Sequence, residues 1–286
     1  MNPVESRVAA NHLHHHVLTW NDAERAEPTI VLLHGFLDMA WSFRDLANLL
    51  ADAGHRVVAF DFRGHGESEW VGHGGYYHFA DYVLDLDELL PKIAPTPVHL
   101  VAHSMGGSVA ALYAASRPAM VRTLTLAEGL GPPEHPTSFA IDKMRAWLDG
   151  VARVRQASLK PIASIEEAFM RMRVQNPQLP EELGLFLAEK GTRELQGGGR
   201  MWSFDPLHRT TSPTLFRRDV YDAFISSINM PTLLIRGEHG YRTPDDDERS
   251  AVVPNATMAT IKGAHHMMHW THAPDFARLI LDFIHR

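Results

Sequence analysis

The sequence predicts an α/β fold, a mostly parallel central sheet with helices on both faces plus an inserted helical cap. Three observations lead there. Short, near-continuous apolar runs alternate with longer segments of helical periodicity. The runs lack the polar alternation of a half-exposed sheet, so they are expected to be buried on both faces, as parallel strands are. The alternation then stops between about residues 131 and 228 and resumes after it.

The elements follow in order. "HLHHHVLTWND" (12–22) is rich in imidazole but leads into Val, Leu and Trp, and is expected to form an early strand antiparallel to the rest. "TIVLLHG" (29–35), "RVVAFDF" (56–62), "PVHLVAH" (97–103), "VRTLTLAE" (121–128) and "MPTLLIRG" (230–237) read as buried strands, and "ATMATIKG" (256–263) as a weaker, alternating one. Between them lie helical patterns. "SFRDLANLLADAG" ends at a glycine, "FADYVLDLDELLPKI" follows the second run, and "MGGSVAALYAASRP" stops at Pro118. The last helix is marked by Phe276, Leu279, Ile280, Phe283 and Ile284 at helical spacing.

The interrupted stretch enters through "GPPEHP" and continues with "SFAIDKMRAWLDGVARVRQ", "SIEEAFMRMRVQN" and "PEELGLFLAEKG", all helix-like. A loop with "GGGRMWSFDPLHR" follows, and no strand signal returns before Met230. The expected organisation is a core of residues 1–130 and 229–286 with a helical insertion at 131–228. Within "RMWSFDPLHR" (200–209), Trp202 and Phe204 stand beside Asp205-Pro206, which suits a structural hinge in preference to a pocket wall.

Composition narrows the function. Of 286 residues, 45% are apolar and 21% charged, an ordinary globular mix that can build a full core. The net charge of −7 and a pI near 6.2 argue against nucleic acid or an anionic membrane as the main partner. There is no cysteine, which excludes disulfides, thiolate catalysis and Cys-zinc sites. The first sixteen residues lack the apolar region of a secretory signal, and no apolar run reaches the ~18 residues that span a bilayer. A cytoplasmic location is expected.

Four stretches can carry chemistry. In "LVAHSMGGSVAALY" an apolar strand runs into Ser104 and a helix starts at once behind it. Such a turn strains the serine backbone, so the positions two before and two after must be small, and here they are Ala102 and Gly106. The helix N-terminus directs amides and partial positive charge at a developing oxyanion. The plainer reading is a serine that caps a helix. In "LLHGFLD" the Phe36 amide, after His34-Gly35, and the amide of Met105 could form an oxyanion hole. The alternative is a simple strand-to-helix loop. "FDFRGHGES" (60–68) is a tight polar turn in which Asp61 and Arg63 are expected to brace loops. It lacks the Lys-Ser/Thr ending of a phosphate loop.

The fourth stretch, "IKGAHHMMHWTHAP" (261–274), clusters His265, His266, His269 and His272 after the last strand. A serine needs a base, and imidazole titrates near neutrality. His265 and His269 also have metal-ligand spacing, but the glutamate of HExxH is replaced by His266, so no metal is expected.

Together these stretches resemble the α/β-hydrolase superfamily in its Ser-His-acid branch. The resemblance covers the chain from about residue 12 to the end and rests most on "HGF", "DFRGHGES" and "AHSMGGSVA" in that order. It implies that "GAHHMMH" is the catalytic-histidine stretch, usually Gly-Ala-Gly-His, with His265 at the final glycine and His266 as the base. Pro274 sits about one residue further on than usual, which keeps His265 as an alternative. The acid in this family usually follows the strand after the insertion, in a Gly-x-x-Asp pattern. Three residues after Gly237 stands Gly240, which has no side chain. Glu128, at the end of the strand after the nucleophile's helix, stands where some branches place the acid. Glu128 is therefore favoured, with Glu238 and Asp245, Asp246 and Asp247 as alternatives.

The resemblance implies a cofactor-independent serine hydrolase for a small-molecule acyl substrate, with Ser104 as nucleophile, His266 as base, Glu128 as acid, and the Phe36 and Met105 amides as oxyanion donors. A carbon–carbon bond hydrolase of the same fold, or a non-catalytic ligand receptor on this scaffold, are the alternatives.

Overall fold

The computed structural model describes residues 1–23, 28–158 and 160–286. The first part of the chain runs β1 (Val4–Ala10), β2 (Leu13–Trp20), β3 (Ile30–Leu33), α1 (Arg44–Asp52), β4 (Val57–Phe60), α2 (Phe79–Ile93), β5 (Val98–His103), α3 (Met105–Ser116) and β6 (Val121–Ala127). A long inserted segment follows, with α4 (Ala140–Gln156), α5 (Ile165–Gln175), α6 (Glu181–Lys190), β7 (Thr192–Glu194), β8 (Arg200–Trp202) and α7 (Arg218–Ile225). The chain closes with β9 (Thr232–Gly237), α8 (Asp246–Val252), β10 (Ala256–Ile261), α9 (Met268–Thr271) and α10 (Ala273–Ile284).

Eight strands form one sheet in the order β1-β2-β4-β3-β5-β6-β9-β10. From β4 to β10 every neighbour is parallel, whereas β2 runs antiparallel to both β1 and β4. The apolar runs are continuous because successive side chains serve opposite cores. In β3, Ile30 and Leu32 enter the layer under α1 and α10, and Val31 and Leu33 the layer under α2 and α3. All four are fully buried, each worth about 1.5–3 kcal/mol. The α10 stripe docks through Phe276, Ile280 and Phe283, while Leu279 and Ile284 lie at its margin.

Two elements differ from expectation. β1 carries no apolar run, and its side chains are largely exposed. It is a strand because it pairs with β2 residue for residue, from Val4 opposite Thr19 to Ala10 opposite Leu13. The connecting loop is Asn11-His12, both at positive φ (47° and 62°), as a two-residue turn matching strand twist requires. The inserted segment is not wholly helical. β7 and β8 form an antiparallel ribbon, each three residues long, too short for periodicity to register. Its loop turns at Gly198 and Gly199, which both sit at positive φ. Among the described residues no helix is long and apolar enough to cross a membrane.

Burial leaves several imidazoles neutral. It pushes His99 on β5 down to about 4, helped by the nearby charges of His55, Arg122 and His285. It pushes His208 down to about 3 and holds His65 and His103 well below 6.5. His16 goes the other way. Its burial also disfavours charge, but hydrogen bonds to Asp61 and Glu5 raise it on balance. A depressed histidine is protonated in the unfolded chain below 6.5 while the native state stays neutral, so native stability falls with pH. Each such histidine contributes a slope of about 1.4 kcal/mol per pH unit between 6.5 and its native value, and His16 offsets part of the sum. The thermal midpoint should therefore drop between pH 7 and pH 5, and His99→Gln should flatten the drop. Melts followed by circular dichroism across that range check it, and a level midpoint would contradict the neutral assignment.

Candidate active site

Ser104 links β5 directly to α3 and adopts φ 52°, ψ −120°, a conformation few non-glycine residues tolerate. Its amide donates to the Ala127 carbonyl at 2.9 Å, which locks the turn to the end of β6. A side chain at 106 could not fit. A Cβ there would lie 2.5 Å from the His34 carbonyl oxygen and 2.7 Å from that of Leu33. The start of α3 is thus packed on the end of β3, which brings Met105 beside the loop that carries Phe36. His34 fixes that loop by donating from Nδ1 to the Gly35 carbonyl at 2.7 Å and accepting from the Phe62 amide at Nε2 at 3.0 Å. The Phe36 amide has no backbone acceptor among the described residues. Met105, as the first residue of α3, has no intrahelical acceptor for its own.

Glu128 follows β6 with φ 48° and donates its amide to Ile235 at 3.1 Å. Its side chain is almost fully buried, and the carboxylate is satisfied from three directions. Oε1 accepts from the Gly237 amide at 2.8 Å, and Oε2 accepts from the Tyr241 amide at 2.7 Å and from His266 Nδ1 at 2.6 Å. A buried carboxylate left short of donors would cost several kcal/mol, and this one is not short. With Nδ1–H donated to Glu128, the His266 ring offers its Nε2 lone pair to Ser104, 3.1 Å from Oγ.

Gly240 explains why a glutamate from another strand can sit here. A Cβ built on Gly240 would fall inside the Glu128 carboxylate. The position where the family pattern carries an aspartate is the space the longer Glu128 side chain occupies.

The alternative acids are engaged elsewhere. Glu238 accepts from the Gly263 amide at 2.7 Å, Asp245 pairs with Arg249 at 2.8 Å and Arg218 at 3.3 Å, and Asp246 and Asp247 pair with Arg236. His265 packs against His239 with ring centroids 5.3 Å apart, so it does not meet Ser104, and it does not converge with His269 as a metal pair. Asp61 and Arg63 are braces. Asp61 accepts from the Ala40 amide at 2.6 Å, the Glu67 amide at 2.9 Å and His16 Nδ1 at 2.8 Å, and Arg63 forks onto buried Asp85.

Sequence reading passed over the ground beneath His266. His103 donates from Nε2 to the His266 carbonyl at 2.9 Å, and its ring packs 4.6 Å from that of His266. His269 lies 4.5 Å from His103 and donates from Nε2 to Asp38 Oδ2 at 3.1 Å. Burial holds both histidines below their ordinary value, His103 well below it. One ligand atom each from Asp38, His103 and His269 lie within 4.8 Å of one another, so this trio could hold a metal ion. The signals were present as His103 next to Ser104 and as Asp38 after "HGFL", but no periodicity joins residues so far apart in sequence.

A cavity of about 600 Å³ opens at His266 and Phe36. Its far side comes from the inserted segment, including Met172, Trp202, Phe204 and Arg209. Among the apolar side chains of that segment, Met172, Leu187, Trp202 and Phe204 line the cavity. Phe169 is buried in the core, Met144 is exposed, and Trp147 packs edge-on against Tyr76.

A parallel sheet with a strained serine between strand and helix, hydrogen-bonded to an imidazole that is itself bound to a buried carboxylate, defines the class of α/β hydrolases. The family model of the alpha/beta hydrolase fold matches residues 28–273, and the chain belongs to that family. It is 26% identical to a serine hydrolase-like protein of Danio rerio over 89% of this chain and 81% of that protein. It is 27% identical to an sn-1-specific diacylglycerol lipase of Mus musculus over 92% of this chain and 83% of that one. Among solved structures, the thioesterase domain from the curacin biosynthetic pathway superposes with a TM-score of 0.86 at 27% identity, covering 98% of this chain and 100% of that domain. A hypothetical protein from Pseudomonas aeruginosa PAO1 superposes with 0.88, also at 27% identity, over 100% of both chains.

The contact at Gly240 can be tested without any substrate. Gly240→Ala forces the Glu128 carboxylate out of its three hydrogen bonds and should cost about 1–3 kcal/mol or more, seen as a fall of several degrees in thermal midpoint. Gly72→Ala, where a Cβ meets nothing within 4 Å, should leave the midpoint in place. Equal midpoints for the two variants would contradict the packing described.

Proposed function

We propose that the chain is a serine hydrolase that cleaves a carboxylic ester or similar acyl bond through an acyl-enzyme intermediate. The observation that carries this reading is the unbroken chain of contacts from Ser104 Oγ to His266 Nε2 at 3.1 Å and from His266 Nδ1 to Glu128 Oε2 at 2.6 Å. Ser104 Oγ attacks the acyl carbon while His266 Nε2 takes its proton, and the imidazolium is held by the Glu128 carboxylate. The Phe36 and Met105 amides donate to the oxyanion. His266 then gives its proton to the leaving oxygen. A water attacks the acyl-enzyme, passes its proton to His266, and Ser104 is regenerated. The mechanism calls on no metal or organic cofactor.

Residues 131–228 act as a cap over the core of 1–130 and 229–286 in this reading, and the cavity between His266 and Trp202 receives the acyl substrate. Relatives named as a diacylglycerol lipase and a thioesterase act, by those names, on acyl bonds, which favours acyl transfer to water over carbon–carbon cleavage.

A fluorophosphonate probe should label the wild-type protein at Ser104 and leave Ser104→Ala unlabelled. With p-nitrophenyl esters of short acids, Glu128→Gln should lower kcat by about 10³- to 10⁴-fold through loss of the imidazole's orientation and charge partner. Asp245→Asn should retain near-normal turnover. Labelling that survives Ser104→Ala would sink the nucleophile, and the reverse order of the two acid variants would sink Glu128.

A further inference from the structure

The segment "RMWSFDPLHR" (200–209) is a wall of the cavity and not a hinge. Trp202, Ser203, Phe204 and Arg209 all face that space. The wall is anchored to the core by Asp205, whose amide donates to the Gly64 carbonyl at 2.8 Å and whose Oδ2 accepts from the Tyr77 hydroxyl at 2.8 Å. Asp205 also caps the short turn Pro206–Arg209, accepting from the Leu207 amide at 2.9 Å. His208, the next anchor, is buried between the Tyr77 and His65 rings, with centroids 3.9 and 4.1 Å away. Arg209 therefore leaves a turn that the core holds still.

The cation of this turn is Arg209. Its guanidinium lies 5.2 Å from the centroid of the Phe204 ring, and among the described residues it has no carboxylate within ion-pair distance. The cavity's other cation, Arg171, is already paired with Glu167 one helical turn away. The cavity's carboxylate, Asp38, is buried and committed to Ser42 at 2.9 Å and His269 at 3.1 Å. A pocket of mixed lining that opens at His266 thus presents one guanidinium without a carboxylate partner among the described residues, in a chain of net charge −7. Stacking on Phe204 restricts the arginine's rotamers, so less freedom is lost when an anion pairs with it.

We propose that the 200–209 wall selects substrates bearing an anionic group, a carboxylate or a phosphate, on a part that does not react, and that Arg209 is the residue that pairs with it. This rests on the acyl-transfer reading of Ser104. The test compares kcat/KM of the full chain for p-nitrophenyl valerate, for the mono-p-nitrophenyl ester of glutaric acid, and for butyryl-coenzyme A. The wild type should favour at least one of the anionic substrates over the neutral ester. Preference for the glutarate ester marks a carboxylate on the acyl side, and preference for the coenzyme A thioester a phosphate on the leaving side. Arg209→Met should cut the anionic-to-neutral ratio about tenfold, mostly through KM, and Arg209→Lys should recover part of it. The ratio should also shrink as salt is added. A ratio unmoved by Arg209→Met, or a wild-type preference for the neutral ester over both others, overturns the proposal.

Failure of the acyl-transfer reading would look different, since turnover of all three substrates would survive Ser104→Ala or be absent. Binding then still decides. Glutarate or inorganic phosphate should quench tryptophan fluorescence with a Kd raised about tenfold in Arg209→Met. Equal affinity of wild type and variant for both anions, or no binding of either, overturns it independently of catalysis.

Discussion

The fold converges on the Glu128 carboxylate. It stands at the end of β6 and takes donors from the end of β9, from the loop after β9 and from the loop after β10. Two chain segments far from it in sequence, residues 237–241 and His266, are tied to one buried anion, and each would lose that tie if the carboxylate moved. The sheet makes this possible because β6 and β9 are parallel neighbours, so their C-terminal ends emerge side by side. The positive φ of Glu128 turns the side chain across that gap, a strain of order 1–3 kcal/mol held in place by the hydrogen bonds it permits.

A second constraint is the electrostatic setting of His266. Besides Glu128, Ser104 and Tyr241, it packs on imidazoles whose charged form burial disfavours, with His103 under its ring and His269 behind that. A charged His103 would repel a charge on His266 at ring contact, so a neutral floor suits the base role proposed for His266. His266 is partly exposed whereas His103 and His269 are buried, so it alone of the three meets solvent and the cavity. The same floor holds the His266 main chain through the His103 hydrogen bond, joining position and charge in one side chain.

Much of this was legible in the sequence, for identifiable reasons. The central strands announced themselves because both faces are buried and every residue from Ile30 to Leu33 must be apolar. Ser104 was visible because the strained turn restricts its neighbours to small residues, and Gly106 has physically no room for more. Glu128 emerged from what was missing at Gly240 together with chain order. β1 was hidden because an edge strand with exposed side chains needs only a partner's backbone, which leaves no apolar trace. The β7–β8 ribbon was hidden by its length, and Asp38, His103 and His269 by their separation along the chain. Long-range side-chain assembly is what local pattern does not encode.

The inserted segment shows how a shared core acquires a particular pocket. Its own helix α4 buries none of its residues, but α5 and α6 pack into the core layer that holds Trp41 and α7 packs on the opposite layer, while Asp205 and His208 add polar and ring contacts. Those anchors grip the polar turn after β4, the turn that Asp61 and Arg63 brace from within the core. Rigidity is therefore passed from the sheet through Gly64 to the wall that carries Trp202, Phe204 and Arg209. That wall presents two aromatic side chains and one cation to the cavity that opens at His266. The proposed selectivity therefore rests on residues 200–209, and the proposed chemistry on the strand ends that meet the same cavity.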